Sequence, residues 1–344
     1  ILAAGISSAA QAQLKVGFVY VGPIGDHGWS YEHNQGRLAI EKAFGAKVKT
    51  TYVEKVPEGA DAQRVISKLA SSGHGLIFTT SFGYMNPTLR AAKRFSKVKF
   101  EHATGFKRSK NVSTYSARFY EGRYVVGKIV GKMTKSNVLG YIASFPIPEV
   151  IRGINATYLA AKSVNPNIKM KIVWVSTWFD PGKEADAAKT LIDQGADVIM
   201  QHTDSPAPVQ VAQQRGVWAV GQASDMTNFG KKAHLTSIID NWGPYYVART
   251  QAVLDGTWKS TDTWDGFKPG MVQMSALNSA IPVDVAALAN ATREGITNGT
   301  IFPFAGEIKD QAGKVRVKAG EKANDGLLAG MNFYVQGIDG SIPK

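Results

Sequence analysis

Two tryptophans in this sequence stand where a small flat molecule can be bound. Trp29 and Trp178 each follow an apolar run, one in the first half of the chain and one in the second. An aromatic side chain that stacks on a flat heterocycle contributes about 1–3 kcal/mol per face. We therefore predict an aromatic clamp, in which the two indole rings hold a ring-shaped ligand from opposite lobes.

Polar and aromatic residues at the same kind of position complete this candidate site. The edge of a purine base presents both donors and acceptors, and carboxylates and amides suit such an edge. These residues are Asp26, Ser30, Phe82, Tyr84, Gln201, Asp204, Gln222, Ser224 and Asp225. A structural interpretation stays open for each, because aromatic residues also fill cores and polar residues also cap helices. Asp180 and Asp204 are candidate N-caps.

Alternating strand and helix patterns must position these residues. Apolar runs predict strands at Val16–Val21, Lys47–Val53, Leu76–Thr80 and Val98–Glu101, and the segments between them predict helices at Tyr31–Phe44, Ala60–Ser71 and Tyr84–Phe95. Such alternation is typical of an α/β fold with a parallel sheet covered by helices on both faces. Ligands of these sheets bind at the carboxyl ends of the strands, where the tryptophans fall.

The pattern repeats once along the chain. Five landmarks recur 122 positions later, and the pairs are Val16 and Val138, Val53 and Val175, Leu69 and Leu191, Gly73 and Gly195, and Ile77 and Ile199. We predict two similar Rossmann-like lobes, an N-terminal lobe of residues 14–135 plus 242–270 and a C-terminal lobe of residues 136–241 plus 271–344. Several crossings between lobes imply a cleft and a hinge. A surface hairpin is predicted at Ile308–Val317.

Composition narrows the function classes. The chain has 344 residues, 44% hydrophobic and 19% charged, which is typical of a globular protein. No apolar run reaches the ~18 residues of a membrane span. The net charge is +13, but the basic residues are scattered, so we predict a basic solvated surface and no nucleic-acid partner. The absence of cysteine excludes disulfides, thiol chemistry and a lipid anchor on cysteine in this chain.

The first residues resemble the second half of a secretory signal. Residues 1–13 hold a short apolar region followed by Ala10-Gln11-Ala12, an A-x-A cleavage pattern. We predict export to the periplasm with cleavage near Ala12.

Motifs for catalysis are mostly absent. Gly122–Lys128 imitates a phosphate-binding loop but continues with Ile129, where that motif needs Ser or Thr, so we predict a packed helix at Phe119–Met133. No dinucleotide fingerprint, nucleophile elbow or zinc spacing occurs. Carboxylates lie near histidines at Glu101-His102 and at His202-Thr-Asp204. An acid–base pair stays open there, although hydrogen-bonded strand-end groups are more common. We predict a binding protein, with no enzyme activity, cofactor or metal.

Four motifs resemble the basic membrane protein (BMP) family of ABC-transporter substrate-binding proteins, which includes purine-nucleoside binders. They are Asp26, Gly28, Trp29, Ser30 and Gly36; Trp178-Phe-Asp-Pro181; Asp193-Gln-Gly-Ala-Asp197; and Ala219-Val-Gly-Gln-Ala-Ser-Asp225. The resemblance runs from about Lys15 to Gln336. It implies a type I periplasmic-binding-protein fold, an exported solute-binding subunit, and a membrane permease–ATPase complex as partner. We expect a monomer.

Three departures from the family pattern bear on the ligand. Ser30 stands where members often carry an Asn that binds the base. Ala223 stands where the nucleoside binders have an Asp that holds the ribose hydroxyls, and Asp240 stands near the position where they often have a Lys that reaches the sugar. Without the Asp acceptor, the buried hydroxyls of a bound ribose would be left unpaired, and each would cost about 1–3 kcal/mol of binding free energy. The prediction is a free purine base such as adenine, with Asp240 added to the site.

Other functions stay open at this point. A nucleoside or sugar binder on the same fold is the first alternative, since aromatic stacking also suits pyranose rings. A nucleoside-processing enzyme, such as a hydrolase, and a ligand-regulated signalling or structural protein are the others.

Overall fold

The structure is a computed structural model that describes residues 13–25 and 27–343. The predicted signal segment before Gln13, and Asp26 of the predicted site, lie outside the described residues. The strands are β1 (Leu14–Val19), β2 (Val48–Val53), β3 (Leu76–Thr79), β4 (Lys99–Ala103), β5 (Val112–Ala117), β6 (Val138–Ala143), β7 (Lys169–Trp174), β8 (Val198–His202), β9 (Trp218–Gly221), β10 (His234–Asp240), β11 (Asp262–Asp265), β12 (Val272–Met274), β13 (Ile308–Lys309) and β14 (Val315–Val317). The helices are α1 (Gly28–Phe44), α2 (Ala60–Ser71), α3 (Met85–Arg94), α4 (Phe119–Met133), α5 (Pro148–Val164), α6 (Pro181–Asp193), α7 (Ala207–Arg215), α8 (Gly243–Leu254), α9 (Val283–Asn298) and α10 (Asp325–Ala329).

Two six-stranded sheets organise the fold. Their strand orders are β11-β5-β4-β3-β1-β2 and β12-β10-β9-β8-β6-β7. The inner strands run parallel in both sheets, and β12 is antiparallel to β10. The order β3-β1-β2 in one sheet matches β8-β6-β7 in the other, so the predicted α/β fold and its internal repeat are confirmed.

The chain divides into two compact units. The first consists of residues 13–20, 35–115 and 243–262, and the second of residues 21–34, 116–242 and 263–343. The predicted N-terminal lobe includes residues 116–135, whereas α4 in that segment packs against α5 of the second unit. The predicted lobe boundaries, as bodies that move about a hinge, stay a prediction.

Strand β5 was not predicted, and its sequence explains why. β5 reads Val-Ser-Thr-Tyr-Ser-Ala, a run too polar to suggest a buried strand. Its polar groups are satisfied by residues next to β11, because Ser113 Oγ accepts from Thr261 N at 3.0 Å and Thr114 Oγ1 donates to Asp262 at 2.6 Å. These partners lie about 150 residues away in sequence, so the local pattern carries no sign of them.

The glycine-rich segment that imitates a phosphate-binding loop is part of α4, as predicted. Its glycines permit close helix packing: a methyl group at Gly127 would lie 2.4 Å from the Thr157 carbonyl oxygen, and one at Gly131 would lie 2.9 Å from Ala161 backbone atoms. The predicted hairpin is also confirmed, as β13 and β14. In the described ranges, no helix combines the length and apolar character that crossing a bilayer requires.

A buried carboxylate organises the core of the first unit. Glu101 is fully buried and accepts hydrogen bonds from Arg249 Nε at 2.6 Å, Tyr245 OH at 2.7 Å and Trp258 Nε1 at 2.7 Å. Burial raises the pKa of Glu101, and the guanidinium of Arg249 opposes that rise. The neighbouring His102 pairs through Nδ1 with Thr79 Oγ1 at 3.0 Å. These contacts match the structural interpretation of the Glu101-His102 pair.

Candidate functional site

The carboxyl edge of the second sheet gathers most of the predicted site residues. From β6 the chain crosses to β7 on one side and then to β8 on the other. Crossovers that leave in opposite directions open a crevice at that edge, which is where ligands bind in open α/β sheets. Residues that follow β6, β7, β8, β9 and β10 therefore converge on one region of the second unit.

Several buried polar atoms at this edge have no hydrogen-bond partner among the described residues. They belong to Arg123 (Nε and Nη1), Tyr141 (OH), Ser144 (Oγ), Trp178 (Nε1), Gln201 (Oε1) and Asp240 (both carboxylate oxygens). We call these six residues the open polar set. A buried polar atom without a partner costs about 1–3 kcal/mol, so folded proteins keep few of them. A cluster of both donors and acceptors at a sheet switch point is the arrangement of a site built for a polar ligand.

Asp240 contributes a buried carboxyl group to the open polar set, with both oxygens lacking a hydrogen-bond partner among the described residues. It ends β10 and is fully buried. Burial raises the pKa of Asp240 well above its usual range, the negative charges of Glu32 and Asp204 raise it further, and the cation of Arg123 lowers it. The pKa of Glu32 is raised to about 8, by burial and then by the charge of Asp225. A ligand with N–H donors would relieve this concentration of buried carboxyl groups.

Arg123 is a candidate site residue that sequence reasoning missed. It lies on α4 and is fully buried. Its Nη2 donates to Gln222 Oε1, and its Cζ lies 5.4 Å from the centre of the Tyr141 ring. The remaining guanidinium nitrogens belong to the open polar set. The signal was available, because a charged residue among the apolar positions of a predicted helix calls for a buried partner.

Trp29 lies within a helix, ahead of the helix start predicted at Tyr31. α1 begins at Gly28, three residues before the predicted start, and Trp29 falls in its first turn. The indole packs edge-on against His33 at 4.4 Å and Trp242 at 5.6 Å, and it approaches Phe119 at 5.9 Å, all as ring-centre distances. Trp242 itself is fully buried. Trp29 is thus held by an aromatic cluster of the second unit, and its contact with ligand stays a prediction.

Trp178 is more accessible than Trp29. It follows β7, is half-buried, and has the Phe145 ring 5.1 Å away. Its carbonyl oxygen accepts from Asp204 N at 3.0 Å, which ties the loop after β7 to the loop after β8. The indole nitrogen belongs to the open polar set. A partly exposed ring with a buried donor that still lacks a partner has the properties expected of a stacking residue.

Gly28 holds the start of α1 against the loop after β8. Its φ is +85°, its N–H donates to Ser224 Oγ at 2.6 Å, and a methyl group there would lie 2.4 Å from the Asp204 carbonyl oxygen. We expect Gly28→Ala to lower the free energy of unfolding by about 2–4 kcal/mol, because backbone strain and a steric clash add. Chemical denaturation measures this loss.

The matched control for this substitution is Gly45→Ala. Gly45 also has a positive φ, of +51°, but a methyl group there meets no atom within 4 Å among the described residues. It should therefore lose only about 1 kcal/mol, the strain alone. Equal losses in the two variants would show that the close approach to Asp204 is not the cause.

The other predicted residues in the second unit have structural partners. Ser30 Oγ accepts from Gly22 N at 3.1 Å, and the exposed Asp225 accepts from Thr227 N at 3.0 Å. The predicted N-cap at Asp180 is confirmed, since it accepts from Lys183 N at 3.0 Å. The N-cap prediction for Asp204 is wrong, because α7 begins at Ala207 with Pro206 before it. Pro206 holds the N-cap position, and Asp204 lies two residues before it.

Phe82 and Tyr84 lie in the first unit. Tyr84 is fully buried, and its hydroxyl donates to the Val56 carbonyl oxygen at 2.5 Å. Phe82 is partly exposed, with the Phe106 ring 6.4 Å away. Tyr84 therefore has a core role in its own unit, whereas Phe82 keeps an accessible face.

The histidine beside the site has a structural partner. His202 Nε2 lies 3.3 Å from Glu149 Oε1, and burial lowers the pKa of His202. In the part of the chain that the structure covers, no group of three or more His, Asp or Glu residues is arranged to hold a metal ion. The chemistry gathered at this edge is hydrogen bonding and stacking.

Comparison with known proteins identifies the family. Residues 13–301 match the family model described as ABC transporter substrate-binding protein PnrA-like. The chain belongs to this family. It is a substrate-binding protein of an ABC transporter and not an enzyme, as predicted, and the fold is that of the type I periplasmic binding proteins.

Individual relatives agree with this assignment. A purine-binding protein of Brucella abortus is 56% identical over 99% of this chain and 97% of its own length. A putative glucose-binding protein of an ABC transporter from Haloferax volcanii is 37% identical over 95% of this chain and 81% of its own. A solved solute-binding protein from Aeropyrum pernix is similar in fold, with a TM-score of 0.72 at 19% identity over 86% of this chain and 93% of its own.

Proposed function

We propose that this protein is an exported, periplasmic solute-binding subunit that captures a free purine base, with adenine favoured, and delivers it to a membrane permease and its ATPase. The open polar set is the observation that carries the proposal. It combines acceptors, on Asp240 and Gln201, with donors, on Arg123 and Trp178. A purine base presents N–H donors and ring-nitrogen acceptors side by side and has a face for stacking.

The preference for a base over a nucleoside rests on Ala223 and Asp240. Ala223 is fully buried, with a φ of +63°, and its carbonyl oxygen accepts from Asp240 N at 2.8 Å. Its methyl side chain offers no acceptor for ribose hydroxyls. Asp240 suits the N–H at position 9 of a free base, a donor that a nucleoside lacks because its sugar is attached there.

Relatives support two ligand classes, and the purine class fits the site better. The Brucella relative is named a purine-binding protein and the Haloferax relative a putative glucose-binding protein. The first is the more similar of the two, at 56% identity against 37%. A sugar is the second candidate, since hydroxyl groups also pair with carboxylates and guanidinium groups.

Native mass spectrometry followed by calorimetric titration tests the proposal. We expect adenine to bind with a free energy on the order of −8 kcal/mol or stronger, which corresponds to micromolar affinity or better. 9-Methyladenine, which keeps the ring and loses the N–H at position 9, should bind at least about tenfold more weakly, and adenosine likewise.

Titrations with adenine, 9-methyladenine, adenosine and glucose distinguish the ways in which the proposal could fail. Tighter binding of adenosine than of adenine would keep a purine site and overturn the inference from Ala223 and Asp240. Binding of glucose without any response to adenine would move the ligand class to sugars. Equal affinity for adenine and 9-methyladenine would show that the N–H at position 9 is not recognised.

A further inference from the structure

The positive charge of this protein is concentrated in one unit. The first unit contains 18 Lys and Arg residues against 7 Asp and Glu, whereas the second contains 22 against 20. Residues 86–112 alone hold eight basic residues and a single carboxylate, Glu101. Glu101 is fully buried and already paired with Arg249, so it neutralises none of the surface charge of this segment.

The fold brings basic residues that are apart in sequence onto one face. The side-chain nitrogen of Asn111 donates to the carbonyl oxygens of Ala92 at 3.1 Å, Phe95 at 3.2 Å and Val98 at 3.0 Å. These three bonds fasten the end of the crossover between β4 and β5 to the end of α3. Lys110, next to Asn111, is therefore held beside the basic residues around positions 93–97.

We call the exposed residues Lys93, Arg94, Lys97, Lys107 and Lys110 the basic face. None of these five side chains forms an ion pair with a described residue. The crossover also carries Phe106, which is 64% exposed, more than the other exposed aromatic residues, Tyr52 and Phe302. The Nζ of Lys107 lies 5.7 Å from the centre of that ring.

We propose that the basic face binds the surface of an anionic phospholipid membrane. Lysine side chains are mobile point charges, which suit a diffuse layer of lipid phosphates, and an exposed aromatic ring at the edge of the face can enter the headgroup region. A protein partner would instead require an apolar centre, and the basic face has one ring at its edge. Binding here would keep the protein next to the membrane that holds its transporter. That role rests on the proposed delivery to a permease, whereas the lipid contact does not.

Vesicle co-sedimentation with the full chain tests the proposal. We expect the protein to bind mixed vesicles of phosphatidylglycerol and phosphatidylcholine and not to bind vesicles of pure phosphatidylcholine. It should dissociate from the mixed vesicles as added salt screens the charges. The variant Lys93→Glu, Lys97→Glu, Lys107→Glu, Lys110→Glu should bind the anionic vesicles about tenfold more weakly or worse.

The matched control reverses four exposed lysines of the second unit. Lys169→Glu, Lys231→Glu, Lys232→Glu and Lys318→Glu change the net charge by the same amount. This variant should keep most of the vesicle affinity, and both variants should bind adenine like the parent. The proposal would be overturned if both variants lost the same vesicle affinity, or if phosphatidylglycerol did not increase binding of the parent. It would also be overturned if the parent bound only vesicles that contain the permease. A failure to bind adenine would count against the proposed function and not against the basic face.

Discussion

Replacing Asp240 with asparagine is expected to weaken adenine binding by about 10- to 100-fold while making the unliganded protein more stable. The carboxylate is fully buried and belongs to the open polar set, so in the unliganded chain no hydrogen bond from a described residue offsets its desolvation. In the complex it would accept a hydrogen bond from a ligand N–H. A hydrogen bond to a charged group is worth about 1.5–3 kcal/mol, which sets the expected loss of affinity.

The stability effect has a defined pH dependence. The pKa of Asp240 is raised in the folded state, so its contribution to stability is present below the unfolded pKa, near ~3.9, and is lost as pH rises toward the folded value. The parent should therefore lose stability as pH rises above about 4. Asp240→Asn should flatten that loss without abolishing it, because Glu32 and Asp204 also have raised pKa values.

Thermal unfolding across this pH range and calorimetry with adenine measure the two effects. Asp225→Asn is the matched control, since Asp225 is exposed and accepts from Thr227 N. It should change adenine affinity by less than about threefold and should not stabilise the protein. An Asp240→Asn protein that binds adenine as tightly as the parent would remove Asp240 from the site.

Replacing Glu101 with alanine is expected to lower the free energy of unfolding by about 3–5 kcal/mol. The substitution removes a fully buried carboxylate that accepts from Arg249, Tyr245 and Trp258, and it leaves the guanidinium without its counter-charge. Removing one partner of a buried ion pair is costly because the remaining charge stays desolvated. Urea denaturation followed by both fluorescence and circular dichroism measures the loss.

Glu307→Ala is the control for Glu101→Ala. Glu307 pairs with Lys309 at 2.8 Å, but both side chains are well exposed, and such pairs contribute about 0–1 kcal/mol. Adenine affinity should be nearly unchanged in both variants under conditions where they remain folded, because Glu101 is not in the open polar set. A loss below about 1 kcal/mol for Glu101→Ala would mean that the buried network is not a principal support of its unit.

Local patterns in the sequence were sufficient for most of the framework. The predicted helices at Ala60–Ser71 and Phe119–Met133 are observed with the same bounds. Apolar periodicity is a local property, and a buried element displays it whatever its neighbours are. The 122-residue offset likewise predicted two sheets of one strand order, since strands and helix ends recur together.

Local patterns failed where burial depends on distant partners. β5 was missed because its serine and threonine side chains look solvated until Thr261 and Asp262 are brought beside them. The start of α1 was placed too late because the glycine at position 28 suggested a turn, whereas its N–H is bound by Ser224 and the helix begins there.

The sequence by itself determined the α/β class, the repeat and the family motifs, because each of these follows from the order of residues along short segments. It also predicted the sheet edge at which a ligand would bind. Only the tertiary structure decided which polar groups at that edge are already satisfied. Ser30 and Asp225 have partners, whereas Asp240 and Arg123 contribute to the open polar set. A hydrogen bond is made between atoms that meet in space, and the partner of Arg123, Gln222, stands 99 positions away in the chain. The same reason explains the basic face, whose residues look scattered until Asn111 fastens them together.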